Sequence, residues 1–223
     1  DSFGTVIVNA GVIDGRIAAT AGPAKRFENS GWIGVSGNGV PITHLLSGIY
    51  SQTEAGTLSL RVGETGHDRF GLTGTARLAG TLEVPFQTST LATSYDLFAA
   101  TDEITGTFTT LTTPGLPGYV ATALDYADNV VTLDLTSQMA SQTGLTANQS
   151  AVGGAVDAAF NSGLLATAGN ATADALNSIY SLSGSQLAPA LGSLTGEIYA
   201  SQRSVLLNDG RFTREAVLDR LRQ

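Results

Sequence analysis

Few residues in this chain of 223 could do chemistry. The histidines are His44 and His67, and His67 is followed directly by Asp68. A hydroxyl, an imidazole and a carboxylate could make an acyl-transfer site. No Gly-x-Ser-x-Gly elbow occurs to present a nucleophilic serine, however. Both histidines therefore read as surface loop residues. The carboxylate pairs are Asp102-Glu103 and Asp125-x-x-Asp128. Such pairs can do acid–base work or hold calcium, but both sit beside turns and read as solvated. Gly34-Val35-Ser36-Gly37-Asn38-Gly39 is glycine-rich, yet no helix follows to make it a phosphate cradle. With no cysteine, disulfides and thiolate metal sites are excluded. The expectation is a protein that is not an enzyme, with no cofactor and no metal.

Charge narrows the partners. There are 11 Lys+Arg against 19 Asp+Glu, a net charge of −8, and one lysine, Lys25. That balance gives no electrostatic footprint for nucleic acid. Charged residues are 13% of the chain, about half the usual share. The polar surface must come from Thr, Ser, Asn and Gly, a mixture that favours β-structure with many turns. Asp1-Ser2-Phe3 opens without the basic and apolar regions of a signal peptide. The chain reads as a fragment.

The elements that would position these residues change along the chain. Residues 1 to about 136 alternate at period 2, with Asp14-Gly15 and Asn38-Gly39 as turns. Leu58 to Val62 and Leu72 to Val84 nearly repeat at about 20 to 25 residues, a solenoid spacing. A β-sandwich would give similar short alternating strands, so this pattern leaves both open. Trp32, Leu58, Leu60, Leu72, Leu78 and Leu82 are expected to share one core. Residues 85–136 are richer in Phe and Tyr and end in a hairpin at Asp128-Asn129, which suits a cap. Residues 137–175, rich in Ala, Ser and Gly, read as a linker with one short helix. From residue 176 the period turns helical. Leu187, Leu191, Leu194 and Ile198 make a one-sided stripe on a helix from about Ser185 to Leu207, with Glu197 and Arg203 as its charges. Asp209-Gly210 reads as a break before a last helix.

Phe27-Glu28-Asn29-Ser30-Gly31-Trp32-Ile33, Leu46-Ser47-Gly48-Ile49-Tyr50-Ser51-Gln52-Thr53 and Gly56-Thr57-Leu58-Ser59-Leu60 resemble the C-terminal part of bacterial type V autotransporter passengers. Leu182 to Leu191 and Leu194 to Ser201 are similar to the helical linker before the translocator barrel of that family. The resemblance implies a mainly β chain: a right-handed parallel β-helix with a C-terminal cap, then an α-helical segment. It divides the chain into β-helix rungs (1–84), an autochaperone-like cap (85–136), a linker (137–175) and a helical segment leading to a barrel (176–223). It implies a stalk and folding nucleus for a self-secreting passenger at the outer membrane and cell surface. The implied partners are the protein's own outer-membrane β-barrel and the barrel-assembly machinery, with the host ligand open. A β-helical adhesin module is the first alternative, with 19–29 as its one sizeable loop. A polysaccharide-processing β-helix is the second, with Arg16, Lys25, Arg26, Arg61, Arg69 and Arg77 as its bases.

Overall fold

Period-2 alternation puts every second side chain on one face of a strand, and short strands can bury those faces by coiling. The computed structural model, which describes residues 5–19, 26–166 and 171–222, is such a coil, a parallel β-helix. It starts with β1 (Val6–Asn9), β2 (Val12–Asp14) and β3 (Ala18–Ala19). Then come β4 (Arg26–Asn29), β5 (Trp32–Gly34) and β6 (Thr43–Gln52). β7 (Thr57–Ser59) leads to a small hairpin of β8 (Val62–Gly63) and β9 (Gly66–His67). β10 (Arg69–Leu78), β11 (Thr81–Glu83), β12 (Ser94–Ala100), β13 (Ile104–Gly106) and β14 (Thr110–Thr112) complete the coil. One wall runs β1-β4-β6-β10-β12, with β3 and β13 on its flanks, and the other runs β2-β5-β7-β11-β14.

Parallel register stacks like on like. Ile13, Ile33, Leu58, Leu82 and Leu111 form one column. His44, Phe70 and Phe98 form another, with ring centroids 5.7 and 4.9 Å apart. At one corner the column is polar: Asn9, Asn29 and Gln52 are in register and buried. Asn9 Nδ2 donates to Asn29 Oδ1 at 2.8 Å, and Asn29 Nδ2 to Gln52 Oε1 at 3.3 Å. Asn9 and Asn29 also donate to the carbonyls of Trp32 and Thr57, and Gln52 to those of Ala79 and Thr81. The column thus satisfies turn carbonyls that burial would otherwise leave without partners.

β6 and β10 are ten residues long, and each carries a glycine at positive φ within it. Gly48 (φ 116°) and Gly74 (φ 137°) lie opposite each other. A Cβ on Gly74 would overlap the Gly48 carbonyl oxygen, so no other residue fits. The outer loops are held by Arg61 and Asp68, 5% and 1% exposed and paired at 2.7 Å. Arg61 also donates to the carbonyls of Gly37 and Val40, which folds the glycine-rich loop down.

Leu58, Leu60, Leu72, Leu78 and Leu82 all lie inside. Trp32 does not. It is half-buried on the outer face, where its indole covers Gly34 and its Nε1 donates to Glu83 Oε2 at 3.3 Å. Its neighbour Ile33 takes the interior place, and two adjacent strand residues cannot both point in. His44 also departs from its expected loop: it is an interior residue of β6. The 19–29 loop of the adhesin alternative shortens, because β4 occupies 26–29, and residues 20–25 lie outside the described residues.

Urea unfolding checks the phase of the strands. Leu82→Ala should cost about 2–5 kcal/mol through the cavity it leaves. Thr81→Ala, one residue away on the outer face, should cost under about 0.5 kcal/mol. Equal costs would contradict the alternation.

Candidate functional site

The last coil must end somewhere, and the way it ends builds an extended polar site. β12 pairs parallel with β10 on one side and antiparallel with β16 (Val130–Ser137) on the other. β16 pairs in turn with β15 (Val120–Ala127). Asp128 and Asn129, at φ 51° and 60°, close that hairpin. This is the conformation of a type I′ turn, which Asp and Asn tolerate.

Behind the hairpin comes a set of helices. α1 (Ala147–Asn161) starts at a capping box in which Thr146 and Gln149 bond each other's backbone. α2 (Ala171–Asn177) and α3 (Gly184–Leu194) follow. The contact with β16 is made by hydrogen bonds that converge on Asp157 of α1. Its carboxylate accepts from Ser137 Oγ at 2.6 Å, Met139 N at 2.8 Å and Ala140 N at 2.9 Å. Asn161 bonds both backbone groups of Ser137. Tyr180 donates to Ser137 Oγ at 3.0 Å, and Tyr119 donates to the Ile179 carbonyl at 2.6 Å. Burial pushes the Tyr119 phenol up to about 12, and raises Tyr180 as well, so both stay protonated donors. Met139, Val156, Phe160, Leu165, Leu187 and Leu191 are the apolar part of the same lid.

This packing changes the reading of two segments. Residues 137–175 carry a 15-residue helix bonded to β16 rather than a linker with one short helix. The single helix expected from Ser185 to Leu207 is two. α3 ends at Leu194, Gly196 takes a left-handed φ of 71°, and α4 (Glu197–Leu221) begins. Gly210, read as a break, lies inside α4. Leu187 and Leu191 are buried under α3, with Gln149 of α1 donating to the Ala188 carbonyl at 2.9 Å. Leu194 is half exposed and Arg203 exposed, while the side chains of Glu197 and Ile198 lie outside the described residues. Val205, Leu206, Leu207, Phe212 and Leu221 of α4 are exposed. No helix among the described residues is long and apolar enough to cross a membrane.

The two histidines lie on different strands, His44 in β6 and His67 in β9. Burial holds both histidines below the usual imidazole range. His67 packs edge-on against Tyr95. Asp102, Glu103, Asp125 and Asp128 are exposed. Arg61 is committed to Asp68, and Arg26 to Glu28 at 2.9 Å. A cleft of about 410 Å³ lined by Asn38, Val40, Glu64 and Gln87 offers one carboxylate and no base beside it. Among the described residues no three His, Cys, Asp or Glu come together as a metal site. No family model, curated protein or solved structure matches the chain.

The Asp157 junction is missed by period alone, but two cues are in the sequence. Thr146-x-x-Gln149 is a capping signature. Asp157 stands four residues before Asn161, so both fall on one helical face. Asp157→Ala strips three donors of their acceptor and should destabilise the lid by about 1–3 kcal/mol. Limited proteolysis should then cut first within 138–195 while 43–112 stays intact. Unchanged cutting, or simultaneous cutting of the coil, would contradict this.

Proposed function

We propose that this chain is the C-terminal end of a self-secreting autotransporter passenger: a stalk whose closed end nucleates folding outside the outer membrane. The observation that carries the reading is the difference between the two ends of the coil. The C-terminal end is finished by an antiparallel hairpin and a helical lid. The N-terminal end is open among the described residues. Ile7 stacks on Phe27 yet is 36% exposed, and both walls end there in a free strand, β1 and β2, whereas at the other end β14 keeps a free edge but β12 is paired with β16. A template of that kind favours the addition of coils at its N-terminal side, where neither wall is covered. The lack of cysteine suits a chain that crosses unfolded, because no disulfide can lock a bulky intermediate.

On this reading the coil is right-handed, the sense that parallel crossovers favour. The C-terminal part emerges first, the hairpin and lid fold on it, and successive coils add to that edge. Each added coil opposes backsliding without nucleotide hydrolysis. α4 is the element placed within the barrel. It has 25 residues, about 37 Å at 1.5 Å each, enough to cross a hydrocarbon core of about 30 Å. Its polar residues Asn208, Asp209, Arg211 and Arg214 suit a polar lumen rather than lipid. The barrel and its assembly machinery are the partners, and the cell surface is the location.

The test is display. This chain, joined to an autotransporter barrel in a Gram-negative host, should reach the surface and resist protease on intact cells. Disrupting the closed end, by Asp157→Ala with Tyr119→Ala, should cut the protease-resistant surface fraction at least five-fold. Removing residues 1–29 at the open end should leave it within two-fold. Equal effects from both ends, or no display of the unaltered chain, would overturn the proposal.

A further inference from the structure

His44 is fully buried in β6, and its ring stacks on Phe70. Nδ1 lies 3.1 Å from the backbone N–H of Ile17 and accepts from it. An accepting nitrogen holds a lone pair, so the neutral ring carries its proton on Nε2. Nε2 has no hydrogen-bond partner among the described residues. Beside this contact, Leu45 N–H donates to the Ile17 carbonyl at 2.8 Å, and Ala18 of β3 lies opposite Leu45. His44 thus ties the segment between β2 and β3 to β6.

A proton would undo that tie. Imidazolium has two N–H groups and no lone pair. Its Nδ1–H would meet the Ile17 N–H, donor against donor, and a charge would sit in an apolar stack. Three charged groups face the ring. Asp68, just before β10, would attract the imidazolium, but Arg61 already pairs with it. Arg61 itself and Arg16, whose Nε donates to the Thr43 carbonyl at 2.9 Å, would repel it.

We propose that His44 is an acid-released latch: a proton taken from solvent onto Nδ1 displaces Ile17 and frees the 15–19 segment from β6, while the later coils and the closed end stay folded. The only bond made is Nδ1–H, and the Ile17 N–H passes to water. Desolvation holds the folded imidazole below its ordinary value of 6.5, with Asp68 working against it. The latch is therefore fully set above pH 6.5, the unfolded value, and is lost as pH falls through the depressed folded one.

The experiment is NMR on the whole chain from pH 7.5 to 4.5, following the His44 ring and the amide protection of Ile17 and Leu45. Protection is corrected for the intrinsic pH dependence of exchange. His44 should titrate below 6.5, and Ile17 and Leu45 should lose protection at least ten-fold on the same curve. Tyr95 and Leu133 should not change. His44→Gln, whose Oε1 can accept from Ile17 without titrating, should abolish the pH dependence. His44→Phe, which stacks but cannot accept, should leave Ile17 unprotected at every pH. Constant Ile17 protection through the wild-type titration, or a wild-type pH dependence in His44→Gln, would overturn the latch.

Discussion

A parallel β-coil cannot end cleanly. Its last strands leave a row of unpaired amides and carbonyls, and its interior is cut across as an apolar face. Most of what distinguishes this molecule answers that constraint at one end. β12 gives its free edge to β16 in the opposite direction, and the β15–β16 hairpin carries the sheet past the coil. α1 then packs on β16, and α3 packs against α1. At the other end Ile7 and Ile13 sit above Phe27 and Ile33 with only partial cover. On the proposed reading, this asymmetry makes folding directional, with the closed end as the template and the open end as the growth site.

The interior enforces register by like stacking. A slip of one residue would move Leu58 and Leu82 to solvent and bring Thr57 and Thr81 inside. The polar corner adds a stricter requirement. Asn29 accepts from Asn9 and donates to Gln52, so each coil depends on its neighbour for a buried hydrogen bond. The ladder stops at Gln52, whose amide turns to the backbone carbonyls of Ala79 and Thr81 instead. Past the Ser51–Arg77 pair the next strand continues with buried Leu78, and the corner becomes apolar. The buried pair of Arg61 and Asp68 serves geometry more than net stability, since desolvating two charges offsets much of their attraction. It also bonds the backbone of Ile42 and the carbonyl of Gly37, which fixes two loops at once.

Some of this was readable in the residues and some was not, for definite reasons. The alternation from Leu58 to Leu82 fixed the inward leucines because polar or small residues separate them. Trp32-Ile33 gave no such guide: both are apolar, and only the stacking of Ile33 on Leu58 decides the phase. His44 follows Pro41 and a glycine-rich loop, which disguises it as a loop residue, yet it keeps step with Leu46. The Asp128-Asn129 turn was plain from its chemistry. α1 was obscured because its packing uses small residues instead of an apolar stripe. A Cβ at Gly153 would press on the Ala140 backbone at 3.2 Å, so glycine there permits close approach. The break at Gly196 and the continuity through Gly210 show that one residue type punctuates or propagates a helix according to context. At Gly196 the chain takes a left-handed turn; at Gly210 it forgoes about 1 kcal/mol relative to alanine and continues.

If the closed end templates the coil, stability runs from that end toward the open one. Native-state hydrogen exchange of the whole chain in low urea, at pH 7.5, measures this directly. Protection should be highest in β10, β12 and β16, intermediate in β6 and β7, and lowest in β1 to β3, with the β1–β3 amides opening in sub-global steps. Uniform protection along the coil, or greater protection in β1 to β5 than in β12 and β16, would contradict the account.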